Sequence, residues 1–129
     1  MKKLFITIIF IIFAWSGIAA GAEVTFLWDA NVEPDLEGYR IYEGAVSGTN
    51  PKLVADIKCP ANDASCTTYL YQNIPDGTYY WVAFAYDTSG NVSARSEEIS
   101  LTIDTAAPGS PQSFTVNIKD TKSVSVSVD

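Results

Sequence analysis

Apolar side chains in this chain recur at every second position, in short runs, and turn-forming residues separate the runs. Val24, Phe26 and Trp28 share one face of the first run, and Tyr39 and Ile41 share a face in GYRIY. Leu53 to Ile57, Tyr69-Leu70-Tyr71, Tyr79 to Tyr86 (YYWVAFAY) and the alternating Ile99, Leu101 and Ile103 follow. A period of two puts alternate side chains on opposite faces of a strand, whereas a helix repeats near 3.6. Asn31 to Gly38, Gly48-Thr49-Asn50-Pro51, Pro75-Asp76-Gly77 and Ser89-Gly90-Asn91 supply the turns. Short, regularly spaced strands rich in aromatics predict an all-β, antiparallel β-sandwich.

The first 22 residues follow a different pattern. Lys2 and Lys3 precede the uncharged apolar stretch Leu4 to Trp15 (LFITIIFIIFAW). Ser16 and Gly17 break that stretch, and Ala20-Gly21-Ala22 offers the small-x-small site that signal peptidase accepts. Residues 1–22 are therefore expected to be a signal peptide, cleaved after Ala22 and left out of fold reasoning. Retention as a membrane anchor is the rival, since Leu4 to Ala22 is barely long enough to span a bilayer. On this reading the protein is secreted or extracytoplasmic, in the periplasm or on the cell surface. It meets a membrane only transiently, through this segment.

Charge narrows the chemistry. The chain has 8 Lys+Arg, 15 Asp+Glu and no His, a net of −7. With Lys2 and Lys3 removed the net becomes −9, which argues against binding a phosphate backbone and so against nucleic acid. Without His there is no His general base, no Ser-His or Cys-His nucleophile and no His-ligated metal. Two Cys are too few for a four-thiolate site. No catalytic residue, cofactor or metal ligand is expected.

The residues also carry a family resemblance. VTFLWDANVEPDLEGYRIYEG resembles strands B and C of a fibronectin type III domain, with Trp28 as the core tryptophan of strand B. NIPDGTYYWVAFAYDTSGNVSARSEEISLTI resembles the E–F turn, strand F, the F–G loop and strand G. The resemblance covers about Val24 to Ile103, and the chain looks like the small exported single-module proteins of bacteria and their phages. It implies an immunoglobulin-like sandwich over residues 23–104 and a binding or spacer role, not catalysis. In this pattern Ala85 faces the core, so Ala83, Trp81 and Tyr79 do too, Tyr79 as the tyrosine-corner residue. The inward set should also hold Phe26, Trp28, Tyr39, Ile41, Tyr69, Tyr71, Ile74, Leu101 and Ile103. Thr88-Ser89-Gly90-Asn91 stands where adhesive relatives carry R-G-D, so integrin adhesion does not carry over.

Two departures stand out. Cleavage after Ala22 leaves nothing to form strand A. A tail, residues 105–129, follows strand G as an Ala/Pro/Gly-rich linker and then β-prone sequence. PGSPQSFTV (Pro108 to Val116) resembles the strand A that opens another module, and SVSVSVD (Ser123 to Asp129) resembles a strand B. The tail reads as a partial repeat or as a β-prone linker.

Three groups are candidates for chemistry. Cys59 and Cys66 flank a short loop in an exported chain, which predicts a structural disulfide. Asp29, Glu33, Asp35 and Glu37 crowd one loop, but their spacing is not that of a calcium hand, so a solvated turn is expected. Asn91-Val92-Ser93 is a glycosylation sequon that matters only in a eukaryotic host. The sharpest candidate is the outward face of strands C and F, with Arg40, Tyr42, Tyr80, Val82, Phe84 and Tyr86. Contiguous aromatic surface implies a partner or a cover. The expected function is an exported, non-catalytic binding module for a protein or cell-surface glycan. The alternative is an assembly module whose C-terminal tail adds a strand to its own sandwich or to a neighbouring copy.

Overall fold

The computed structural model of the chain describes the backbone of residues 6–10, and residues 21–60, 63, 65–117 and 119. The run Ser123 to Asp129 and most of the expected signal segment lie outside the described residues. Among the described residues seven strands follow one another: β1 (Ile6–Phe10), β2 (Ala22–Trp28), β3 (Leu36–Gly44), β4 (Lys52–Lys58), β5 (Thr68–Ile74), β6 (Gly77–Asp87) and β7 (Ile99–Ile103). All six strands read from the alternation are present, and no helix occurs among the described residues.

The strands form two antiparallel sheets, ordered β1-β2-β5 and β4-β3-β6-β7. Counting β2 as strand B, this is A-B-E against C′-C-F-G, a fibronectin type III-like, immunoglobulin-like sandwich. The inner faces meet through aromatic contacts. Phe26 of β2 sets its ring edge-on to Trp81 of β6 at 5.3 Å, and Trp28 packs against Tyr39 of β3 at 5.2 Å. Val24, Phe26, Trp28, Tyr39, Ile41, Ile74, Trp81, Ala83, Ala85 and Ile103 are buried in one cluster. Tyr69, Tyr71, Tyr79 and Leu101 pack against it half-buried, so the expected inward set is the set the core uses. Tyr79 stacks on Trp81 at 5.5 Å and donates its hydroxyl to the Pro75 carbonyl at 2.8 Å, as a tyrosine corner should.

Alternation does not reveal what serves polar groups inside. Glu43 lies on the inner face of β3, two residues beyond Ile41, and is only 6% exposed. It accepts from the Trp81 indole N–H at 3.0 Å and from Lys52 Nζ at 2.9 Å. The carboxylate thus gives a buried donor its acceptor, and Lys52 brings the compensating charge.

In the full chain Ile6–Phe10 occupies the strand A place that the expected cleavage after Ala22 would leave empty, paired with β2 from Ile6↔Trp28 to Phe10↔Val24. The strand position needs only an extended segment that can hydrogen-bond to the free edge of β2, and an apolar run supplies one. The expected Cys59–Cys66 disulfide is absent, and both residues are free thiols. Each has a carbonyl in reach instead: Cys59 Sγ donates to Asp63 at 3.4 Å and Cys66 Sγ to Lys58 at 3.8 Å. Burial, and then the adjacent Cys66, push the Cys59 thiol up, so it is held protonated and poorly nucleophilic.

Candidate functional site

The residues facing away from the core on β3 and β6 come together through the pairs Tyr42↔Val82, Arg40↔Phe84 and Gly38↔Tyr86. Tyr42 and Phe84 meet edge to face at 5.7 Å and 87°. This outer face was expected to be open. It is not uniformly so: Val82 and Tyr86 are buried, at 2% and 3% exposure, while Tyr42, Phe84 and Tyr80 are half-buried.

Three local structures account for the cover. At one end, the turn after β3 folds back over the sheet. Ser47 Oγ and the Gly48 N–H donate to Glu98 at 2.6 and 2.8 Å, and Asn50 Nδ2 donates to the Tyr80 carbonyl at 3.0 Å. Gly44 permits this, because a Cβ there would come within 1.7 Å of the Thr49 carbonyl oxygen. At the other end, the Tyr86 ring lies across Gly38, where a Cβ would meet the Tyr86 hydroxyl at 2.8 Å. Its hydroxyl donates to Asp56, and the Arg40 guanidinium caps its ring at 4.2 Å while donating to Asp56 at 2.9 Å. Asp56 is consequently held below the usual carboxylate range, first by the Tyr86 hydroxyl and then by Arg40. Tyr86 is pushed up by burial and then by Asp56.

The third structure is the segment after β6. Asn91–Ser96 carries no alternation, yet it pairs with β6 through Tyr86↔Val92. Ser93 and Ser96 each exchange two bonds with β6. Their N–H groups donate to the Ala85 and Ala83 carbonyls, and their hydroxyls accept from the Ala85 and Ala83 N–H groups, all at 2.9 Å. Asp87 fixes the intervening turn by accepting from Ser89 N, Asn91 N and Asn91 Nδ2. These bonds, Asn91 Nδ2 first, hold its carboxyl below the usual range.

Between the three structures remains a dish of about 400 Å³. Tyr42, Val82, Phe84 and Tyr86 line it, with Arg40 on one side, Gly48 and Asn50 on another, and Val92 and Arg95 from the segment after β6. Of the candidate face, Arg40, Tyr42, Val82, Phe84 and Tyr86 line the dish; Tyr80 lies beside the folded-back turn and does not. Val92, Arg95, Asn50 and Gly48 carry no periodic signal, so sequence reasoning missed them. The only available hint was the pair of serines spaced three apart in VSARS. An apolar floor with guanidinium and amide groups at its edge suits a ligand that is part apolar and part polar.

The acidic loop residues do not converge. Glu33 accepts from Asn31 Nδ2 at 3.1 Å, Glu37 pairs with Lys58, and Asp35 offers its backbone carbonyl to the Thr88 N–H. Among the described residues no group of three or more acidic or cysteine side chains could hold a metal ion. No helix of the described residues is long and apolar enough to cross a membrane.

No protein-family model matches the chain, and no curated protein matches it. Among solved structures it is similar to an Fn3-like protein from Clostridium thermocellum. That likeness has 20% identity and a TM-score of 0.49, covering 71% of this chain and 93% of the other.

Proposed function

We propose that this protein is an exported, non-catalytic binding module that presents the β3–β6 dish to a protein or cell-surface glycan. The sandwich itself supports a binding or structural role in general; the dish makes the reading specific. The carrying observation is the edge-to-face pair Tyr42–Phe84, left half-exposed on the floor of a 400 Å³ dish while its neighbours Val82 and Tyr86 are covered. Burial of those neighbours shows that the fold has means of covering this face, and it leaves the centre accessible. Aromatic rings flanked by guanidinium and amide groups give contact area and orientation at once.

The test is retention of the purified protein on the surface fraction of its native cells, followed by a glycan array. Phe84→Ser is expected to abolish retention without unfolding the sandwich. Array binding removed by the same substitution identifies a glycan, and a captured polypeptide with a blank array identifies a protein. Retention that Phe84→Ser leaves intact rejects the dish as the binding site.

A further inference from the structure

Arg95 stands apart among the cations of the sandwich. Arg40, Lys52 and Lys58 each pair with a carboxylate, that of Asp56, Glu43 and Glu37 in turn. Arg95 is exposed, lines the dish, and enters no ion pair or hydrogen bond with the described residues. Glu98 feels its charge through space as a minor influence, while Ser47 and the Gly48 N–H hold the Glu98 oxygens. In a chain of net −7, an unpaired cation at a recess marks where an anion is drawn.

The place of this cation is fixed. Arg95 lies between Ser93 and Ser96, which are pinned to the Ala85 and Ala83 backbone by four bonds of 2.9 Å. The guanidinium is therefore carried by an anchored backbone. The neighbouring donors are spoken for. Asn50 Nδ2 donates to the Tyr80 carbonyl, the Gly48 N–H to Glu98, and Arg40 Nε to Asp56. Arg95 keeps its N–H donors for a ligand, and a guanidinium has no acceptor. Beside it lie the half-buried rings of Tyr42 and Phe84. A ligand matched to both features presents an apolar face and a carboxylate, which a guanidinium can grip through two parallel bonds.

Two observations favour a saccharide over a polypeptide as the carrier of that carboxylate. The dish holds about 400 Å³ and is bounded on three sides by the folded-back turn, the Tyr86–Asp56–Arg40 cluster and the segment after β6. That volume lies near the lower end of the about 300–1,000 Å³ typical of small-ligand sites, so a narrow chain enters where a broad protein surface meets the straps first. A peptide also brings a donor-only N–H at nearly every residue, which a guanidinium cannot satisfy. Sugar hydroxyls both donate and accept, so they can turn acceptors toward Arg95 without stranding a donor.

We infer that the dish is selective for an acidic glycan, a saccharide chain bearing carboxylates of the uronic or sialic type. Arg95 holds the carboxylate, and Tyr42 and Phe84 carry the sugar ring. This inference rests on the reading of the β3–β6 dish as the binding site, and it adds the ligand class and a residue that sets specificity.

The experiment is calorimetric titration of the purified protein with trigalacturonic acid, a hyaluronan tetrasaccharide and sialyllactose, each beside its carboxyl methyl ester. At least one acid should bind, about tenfold more tightly than its ester, because only the acid makes charge-assisted bonds. Added salt should weaken the acid and leave the ester unchanged. Arg95→Gln breaks no bond of the fold, so circular dichroism should stay native while the acid falls to the level of its ester. Phe84→Ser should abolish both. Acid and ester binding equally to the parent, with both lost in Phe84→Ser, overturns the inference and leaves the dish as the site. An acid preference that survives Arg95→Gln also overturns it. So does failure of every saccharide to bind, and a polypeptide retained through Phe84 then assigns the dish to a protein. Saccharide binding that Phe84→Ser leaves intact overturns the dish itself, and the inference with it.

Discussion

The two faces of the four-stranded sheet are built from the same strands by alternate residues, yet they are held by different forces. On the inner face, Tyr39, Ile41, Trp81, Ala83 and Ala85 are packed in the core, and the Glu43 carboxylate is answered by an indole and an ammonium. On the outer face, Val82 and Tyr86 are buried just as deeply, but under turns, an ion pair and a guanidinium set over the Tyr86 ring. Inner burial follows from two sheets closing on each other. Outer burial follows from polar straps that stop short of Tyr42 and Phe84. Apolar alternation on both faces therefore does not mean two cores; one is a core, and the other is a floor with removable cover.

Substitutions separate the two. Trp81→Ala removes the ring that Phe26 and Tyr79 both contact and should cost about 3–5 kcal/mol in urea unfolding. Phe84→Ser, on the half-exposed floor, should cost about 1 kcal/mol or less. Equal losses would break the distinction. Glu43→Ala comes next, because it strands the buried Trp81 N–H without its acceptor. A loss of about 1–3 kcal/mol is expected in the same assay.

How much of this was legible follows from what each face depends on. The six strands, the inward set and the tyrosine corner could be read because sheet burial imposes a period of two on the sequence. Glu43 could not, since its role is set by Trp81, a residue 38 positions away. The outer cover was also hidden. It rests on Gly38 and Gly44, whose missing side chains admit Tyr86 and Thr49, and on Ser93 and Ser96, which pair with β6 without any alternation. Redox context pointed to a disulfide, whereas Cys59 and Cys66 are free, each with a carbonyl in reach. The strand A position was filled by a segment that its composition marks for removal, because a free sheet edge asks only for an extended partner.

The outer straps should also respond to pH. Asp56 has its folded value lowered, so its contribution is present above the unfolded value of 3.8 and is lost as pH falls through the lower folded one. Tyr86, raised when folded, contributes below pH 10.0 and loses that contribution as pH rises further. Tyr86→Phe should flatten both ends of a stability profile measured by urea unfolding, leaving Trp81 burial unchanged by fluorescence. A profile identical to the parent's would mean that the strap adds nothing.

The smallest effect concerns the thiols. Cys59 is 2% exposed and Cys66 half-buried, so a thiol reagent should label Cys66 alone in the native protein and both after unfolding. Burial first, and then Cys66, push Cys59 up to about 12, so its stabilising share should be lost between pH 9 and about 12. No labelling before or after unfolding would show a disulfide instead.

The most direct test of the account compares two exposed apolar residues on different sheets. Leu70 of β5 is 48% exposed and lies on the other sheet, and Phe84 lies on the floor of the dish. Retention on the native cell-surface fraction should be lost with Phe84→Ser and kept with Leu70→Ser, both proteins remaining folded. Retention that survives Phe84→Ser, or that falls equally with Leu70→Ser, would contradict the assignment of binding to the β3–β6 face.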